Sequence, residues 1–121
     1  MKFVYICHPL AHPSIQINIQ KVIQICTNIV KTSGKDVLPF APHLYFPQFL
    51  QDNIEEERYL ALEYDSFLIE RCDEVWIFGD KFSLGMRADI KKARCKRKEI
   101  VFKSNSIEKE VHEFLENLEC N

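Results

Sequence analysis

Asp65 is the residue whose setting in the sequence most clearly suggests chemistry. The positions three and four residues away on its predicted helix are all apolar, namely Ala61, Leu62, Leu68 and Ile69. The carboxylate should therefore project from the helix face that packs against the rest of the fold. Burying an unpaired carboxylate is costly or raises its pKa, so a compensating group must lie nearby. Asp65 is either tied structurally to a backbone or basic group, or used for acid–base chemistry.

A second candidate carboxylate, Asp89, lies shortly after a turn that leads into a predicted helix. Ser83 can cap this helix, and Gly85 follows two positions later. Ser83, Gly85 and the first amide groups of the helix would form a site for a phosphate or another anionic oxygen, because a helix N-terminus presents free N–H groups. Most turns of this kind serve only as caps, so both interpretations of the segment stay open.

These residues must be positioned by an alternation of strands and helices. Short apolar runs typical of strands occur at residues 3–7, 37–41, 75–78 and 100–102, and the runs at 3–7 and 75–78 are expected to be buried. Helical patterns occupy residues 14–33, 55–71, 83–98 and 107–118. This order implies right-handed β-α-β crossovers. We therefore expect a single flavodoxin-like (Rossmann-like) α/β domain over residues 1–121, with a mostly parallel sheet of four to five strands and helices on both faces.

The composition narrows the class of protein. The chain has 121 residues, of which 46% are hydrophobic and 28% charged, as in an ordinary soluble globular domain. Sixteen basic and eighteen acidic residues give a net charge of -2, which argues against a nucleic-acid partner. The apolar run after Met1 and Lys2 is too short for a signal peptide or a membrane span. We expect a cytoplasmic protein without a membrane partner.

Five cysteines are present, and none belongs to a C-x-x-C pair or to a cluster with metal-ligand spacing. They are Cys7, Cys26, Cys72, Cys95 and Cys120. Their odd number and wide spacing argue against a disulfide framework and against a zinc site. We expect reduced thiols, no metal and no cofactor.

Three motifs in order along the chain resemble the nucleoside 2-deoxyribosyltransferase superfamily, which includes the 2'-deoxynucleoside 5'-phosphate N-hydrolases. Tyr5 lies near the end of the first predicted strand, and Asp65 precedes by eight residues the Asp73 that opens the third. Ser83 and Gly85 are then followed by a carboxylate four residues past the glycine. The resemblance covers roughly residues 3 to 102, and the segment 42–47 is similar to a small branch of these domains.

The resemblance implies cleavage or transfer at the N-glycosidic bond of a nucleoside, nucleotide or related ribosyl compound. Asp89 stands where the family has its nucleophile, which is a glutamate in most members. Asp65 matches an aspartate that serves proton transfer and sugar binding, and Tyr5 matches a tyrosine that orients the nucleophile. Ser83 falls where the phosphohydrolases bind the 5'-phosphate. Because Asp89 is one methylene shorter than glutamate, a catalytically weak or inactive module that binds or sequesters a nucleotide-derived ligand is the alternative.

Further residues are candidates for ligand binding. His8 and His43 follow the first two strands, so one of them could protonate a leaving base, or each could simply bond a loop carbonyl. Tyr45, with the other aromatic residues of the proline-bounded loop 42–49, could stack on a nucleobase or form a lid or dimer contact. Arg87 could offer a charge to a ligand or point to solvent. The family's sites are often completed by a second subunit, so we expect a homodimer or higher homo-oligomer.

The basic run at residues 91–98 is the one segment that could suggest nucleic-acid binding. It lies at the end of a predicted helix, where cations favour the helix dipole, and no aromatic residues are interleaved with it. We interpret it as a solvated helix end.

Overall fold

The computed structural model describes residues 1–120, in which strands and helices alternate along the chain. The strands are β1 (Lys2–Cys7), β2 (Val37–Phe40), β3 (Glu74–Ile77) and β4 (Glu99–Phe102). The helices are α1 (Ile15–Ser33), α2 (Glu55–Arg71), α3 (Leu84–Cys95) and α4 (Glu108–Glu116). Three short 3₁₀ turns cover Gly34–Asp36, Pro42–Leu44 and Phe46–Gln48.

Within the described residues the sheet has four strands in the order β2-β1-β3-β4, and all neighbouring pairs are parallel. Tyr5 lies in the middle of this register, opposite Phe40 on one side and Val75 on the other. The sheet confirms the expectation of a single flavodoxin-like α/β domain. The direction in which strands are added reverses between β1 and β3, because the chain passes from β1 to β2 on one side and then crosses to β3 on the other. Ligands bind at such a switch point in folds of this kind.

One helix covers one face of the sheet, and the other three helices cover the opposite face. α1 packs on one face, where Val22 and Ile29 join the core with Val4 and Ile6. α2, α3 and α4 pack on the opposite face, and each contributes buried residues to the larger core cluster, namely Ile69, Ile90 and Val111. The odd-numbered side chains of β1, including Tyr5, point into this second layer because successive strand residues alternate between faces.

Local signals set the helix ends. The Ser14 hydroxyl caps α1 by accepting from the Ile17 amide, and the Ser83 hydroxyl caps α3 by accepting from the Met86 amide, both at 3.3 Å. α3 ends three residues earlier than the sequence predicts. Arg97 adopts a positive φ of 58°, which is incompatible with a continuing right-handed helix, and this ends α3 before the basic run is complete.

The expectation that all thiols are reduced is wrong for one pair. Cys95 and Cys120 form a disulfide, with their Cα atoms 5.4 Å apart. α3 ends at Cys95, and the segment after α4 returns to this point, so residues 25 apart in sequence meet in space. Cys7, Cys26 and Cys72 are free.

No helix between residues 1 and 120 combines the length and the apolar character needed to cross a bilayer.

Candidate active site

Three neighbouring elements each contribute one polar side chain to a buried cluster inside the second helical layer. The Tyr5 hydroxyl of β1 donates to Asp89 Oδ2 of α3 at 2.9 Å. Asp65 of α2 lies beside both groups, close enough to influence the pKa of each. Tyr5 is fully buried and Asp89 is 8% exposed, while Asp65 is half-buried. The structure therefore brings together the three residues that the sequence singled out for chemistry.

The local sequence explains why these side chains face one another. Asp89 belongs to the buried stripe of α3, together with Met86, Ile90 and Ala93. Asp65 precedes by one helical turn Ile69, the fully buried residue of α2. Their helices are packed side by side on the strand that carries Tyr5, so the apolar packing that builds the core also places the two carboxyl groups near the hydroxyl.

Burial controls the ionisation of this cluster. It raises the pKa of Asp65 to about 7, against a weaker lowering effect of the Tyr5 hydroxyl. Burial also raises the pKa of Asp89 strongly, and the charge of Asp65 raises it further, while the hydrogen bond from Tyr5 opposes the rise. Two carboxyl groups this close do not both ionise readily in a region of low dielectric constant. Near neutral pH the pair therefore retains a proton that exposed aspartates would have lost.

The polar atoms of the cluster are unequally satisfied. Asp89 accepts from Tyr5, whereas Asp65 Oδ1 is buried without a hydrogen-bond partner among the described residues. Burial and the charge of Asp89 raise the pKa of the Tyr5 hydroxyl well above its usual range, so Tyr5 remains a donor. Two carboxyl groups in unlike environments beside one hydroxyl donor can divide the roles of nucleophile and acid or base between them.

The turn before α3 gives Ser83 and Gly85 different roles. The Ser83 hydroxyl is engaged as the helix cap. Gly85 has a negative φ, and a Cβ added to it would meet no atom within 4 Å. Packing therefore gives no reason for glycine here, and the start of α3 stays open to a ligand.

Arg87 is not directed to the carboxyl groups. Its guanidinium group packs over the Phe82 ring at 4.4 Å and over the Phe114 ring at 5.5 Å. It also reaches Glu110 of α4 at 3.8 Å. The Arg87 guanidinium group therefore contacts α4. The sequence had suggested instead that Arg87 binds a ligand or points to solvent.

The two histidines hold loops together. His43 Nε2 donates to the carbonyl of His8 at 2.5 Å, and His8 Nδ1 donates to the carbonyl of Pro9 at 2.7 Å. Burial lowers the pKa of His8 and brings that of His43 to about 4. Both rings are therefore neutral at pH 7. Of the roles that the sequence left open, the bond to a loop carbonyl is the one that the structure contains, and neither histidine contacts Asp65 or Asp89.

Tyr45 belongs to an aromatic groove between the end of β2 and α2, with a volume of about 570 Å³. The groove is lined by Phe40, Tyr45, Phe46, Phe49, Tyr64, Phe67 and Leu68. It adjoins the carboxyl cluster, since Phe40 is paired with Tyr5 in the sheet and Tyr64 directly precedes Asp65. Phe40, Tyr64 and Phe67 were not expected in this groove from the sequence. The i, i+3 spacing of Tyr64 and Phe67 does predict that they share one face of α2.

Sequence reasoning also missed two residues that shape the rim of the sheet. Gly79 has φ 98°, and a Cβ there would lie 2.7 Å from Pro9 Cδ, so only glycine lets the loops after β1 and β3 touch. Asn18 is buried in α1 and donates to the carbonyls of Leu10 and His12 at 2.7 and 2.8 Å. Two features of the sequence could have indicated these residues: Gly79 follows a strand and precedes a polar turn, and Asn18 lies within the apolar stripe of α1.

Two further observations concern metal binding and the basic run. Among residues 1–120, no three His, Cys, Asp or Glu side chains are grouped so as to hold a metal ion. Part of the basic run is paired within the fold, since Lys92 and Lys96 lie 2.6 and 3.7 Å from Glu70 of α2.

Comparison with known proteins identifies a family without assigning a function. No curated protein matches this sequence. A family model described as a domain of unknown function, DUF7768, matches residues 2–103. The match spans β1 to β4 and includes Tyr5, Asp65 and Asp89, and it ends before α4. The chain belongs to the DUF7768 family.

Proposed function

We propose that the chain cleaves or transfers at the N-glycosidic bond of a nucleoside, nucleotide or related ribosyl compound. The observation that carries the proposal is the pairing of Asp89, which accepts a hydrogen bond from Tyr5, with Asp65, whose Oδ1 is buried without a hydrogen-bond partner within residues 1–120. This pair, with Tyr5, lies in the helical layer beside β1 and β3, the two strands that flank the switch point at which folds of this class bind ligands. The three residues also match the resemblance to the nucleoside deoxyribosyltransferases position by position.

In the first step the Asp89 carboxylate attacks the anomeric carbon of the sugar. The bond to the base nitrogen breaks, its electron pair goes to the base, and Asp65 supplies the proton that the base needs. In the second step Asp65 takes a proton from water or from a second base, which attacks the same carbon and releases Asp89. Each carboxyl group ends in the state in which it began.

The proposed chemistry needs the proton shared by the pair to lie on Asp65 when the sugar is attacked. Tyr5 donates to Asp89, and a hydrogen bond to the ionised form stabilises that form. Burial acts more strongly on Asp89, and the charge of Asp65 raises the pKa of Asp89 further, so without substrate Asp89 holds the proton of the singly protonated pair. The proposal therefore requires that substrate binding moves this proton to Asp65, which makes Asp89 the nucleophile and Asp65 the acid, as the resemblance implies.

The aromatic groove is the proposed site for the base. Its position beside Phe40 and Tyr64 lets a planar ring stack while the sugar reaches the carboxyl groups. Ser83 and the open start of α3 would contact oxygen atoms of the sugar or of a phosphate. His8, His43 and Arg87 are left out of this ligand contact, because His8 Nδ1, His43 Nε2 and the Arg87 guanidinium group are engaged by loops or by α4, although His43 Nδ1 is buried without a partner among the described residues.

The alternative is a module that binds the same ligand with little or no turnover. It is favoured by one observation, the aspartate at the nucleophile position, since a misplacement of about 1 Å can cost roughly 100-fold in rate. Both functions are tested by incubating the pure protein with nucleosides, nucleotides and dinucleotide cofactors. Base release, followed by chromatography, supports the enzyme. A raised melting temperature without base release supports the binding module, and the absence of both contradicts the two proposals together.

Replacing Tyr5 with Phe is expected to lower the rate of base release by about 10- to 100-fold, the usual value of a hydrogen bond to a charged group. Loss of the donor destabilises the ionised form of Asp89, so the pKa of Asp89 rises and the acidic limb of the pH–rate profile moves to higher pH. Tyr59→Phe is the matched control, because Tyr59 is 66% exposed on α2. An unshifted profile in Tyr5→Phe would show that the hydroxyl does not support the nucleophile.

We also propose a cytoplasmic location and a homodimer in which the second subunit closes the aromatic groove over the bound base, with no nucleic-acid or membrane partner. Tyr45, Phe49 and Phe67 are each more than half exposed at the groove, an unusually apolar surface for a monomer. Light scattering should give about twice the chain mass of 14.3 kDa. Phe67→Glu should give the monomer mass, because it places a charge in the interface. A monomeric wild type at high micromolar concentration would contradict this arrangement.

A further inference from the structure

The Cys95–Cys120 disulfide joins two parts of the chain that are 25 residues apart in sequence. Cys95 is the last residue of α3, and Cys120 lies in the segment after α4. α4 is short, from Glu108 to Glu116, and within it Val111 and Leu115 are buried. The bond therefore adds a covalent link between the end of α3 and the segment after α4, beside the packing of Leu115 and Leu118 on the core.

α4 in turn contacts the beginning of α3, where the candidate active site lies. The Phe114 ring packs edge-on against Phe82 at 5.4 Å, directly before the Ser83 cap. Glu110 lies 3.8 Å from Arg87, two residues from Asp89. The docking of α4 is thus coupled to the position of the turn and helix that carry Ser83 and Asp89.

The surroundings of the disulfide allow thiol–disulfide exchange. Cys120 is exposed and Cys95 half-buried, so small thiols can reach the bond. Six of the eight residues at 91–98 are Lys or Arg, and nearby positive charge stabilises the thiolate form of a cysteine. Disulfides of cytoplasmic proteins are usually transient, catalytic or redox-sensing.

We propose that Cys95 and Cys120 form a reversible redox latch that fixes α4 to α3 when oxidised and releases it when reduced. The oxidant is a small-molecule disulfide such as glutathione disulfide. The Cys120 thiolate attacks one of its sulfurs and expels one glutathione thiolate. The Cys95 thiolate then attacks the Cys120 sulfur of the mixed disulfide and expels the second. The two protein thiols lose two electrons, glutathione disulfide gains them, and the expelled thiolates take up the protons.

The latch is independent of the proposed chemistry, so it is tested without a substrate. The full chain is incubated with glutathione disulfide or with dithiothreitol, and alkylation followed by mass spectrometry maps the free thiols. Oxidation should remove the thiols of Cys95 and Cys120 and leave the other three. It should raise the melting temperature by roughly 10 °C and slow amide exchange in residues 108–116 by at least about 10-fold. Dithiothreitol should reverse each change.

Two variants separate the latch from a general effect of oxidation. Cys120→Ser removes an exposed thiol and should give the reduced behaviour in both buffers. Cys26→Ser, on α1 and outside the disulfide, should respond to oxidation like the wild type. Failure of Cys95 and Cys120 to pair would overturn the proposal. So would a mapped disulfide that changes neither the melting temperature nor exchange in α4.

Discussion

Asp65→Asn is expected to lower base release by about 100- to 10,000-fold while making the folded chain more stable at neutral pH. The loss of rate follows from removing the acid that protonates the leaving base. The gain in stability follows from the burial that raises the pKa of Asp65 to about 7. An asparagine of the same shape has no charge to be destabilised in the cluster.

The direction of the stability effect depends on pH. In the unfolded chain an aspartate loses its proton near pH 3.9. In the folded chain Asp65 keeps its proton up to about pH 7. Between these values the folded state binds more protons, so the free energy of unfolding of the wild type falls as the pH rises. Asp65→Asn removes this contribution, and at pH 8 its free energy of unfolding should exceed that of the wild type by up to about 4 kcal/mol.

Urea unfolding at pH 4 and pH 8 measures this effect. Glu63→Gln is the control, since Glu63 is exposed on the same helix and should leave both stability and its pH dependence as in the wild type. A large loss of stability in Asp65→Asn, with base release intact, would show that Asp65 is a structural residue.

Asp89→Asn is expected to lower base release by at least about 1,000-fold, because an amide is a far poorer nucleophile than a carboxylate. Asp89→Glu should also slow the reaction, by up to about 100-fold. Asp89 Oδ2 already meets the Tyr5 hydroxyl at 2.9 Å, so a longer side chain must move its carboxylate away from this donor. Steady-state rates with the substrate found in the panel test both expectations.

The Glu variant distinguishes the enzyme from the binding module. If the shorter side chain has weakened a site suited to glutamate, Asp89→Glu will release base faster than the wild type. Ligand binding, followed by the melting temperature, should survive in Asp89→Asn in either case. A faster Asp89→Glu would therefore favour the alternative function.

Much of the fold could be predicted because its signals are local. The apolar runs of β1 and β3, the Ser14 and Ser83 caps and the acidic first turn of α2 each act within a few residues. The cluster could be predicted to the same extent, because helical spacing alone places Asp65 on the inner face of its helix. The roles of Tyr5 and Asp89 came from the resemblance, and the structure adds the hydrogen bond between them.

The features that were missed depend on contacts between distant segments. The Cys95–Cys120 bond arises only because α4 returns the chain to the end of α3. Arg87 is directed to α4 by Phe114 and Glu110, which lie more than 20 residues further along the chain. The histidines are neutral because two loops bury them against each other, with ring centres 5.9 Å apart. Such effects are set by packing and are invisible to sequence spacing.

The central claim is that Asp89 forms a covalent bond to the sugar while the base departs. A single turnover of the panel substrate, quenched in acid and followed by intact mass spectrometry and peptide mapping, tests it directly. We predict base release in step with a mass increase equal to the glycosyl group on the peptide that contains Asp89, and neither event in Asp89→Asn. Equal base release by the wild type and Asp89→Asn, with no glycosyl group on either protein, would contradict the account.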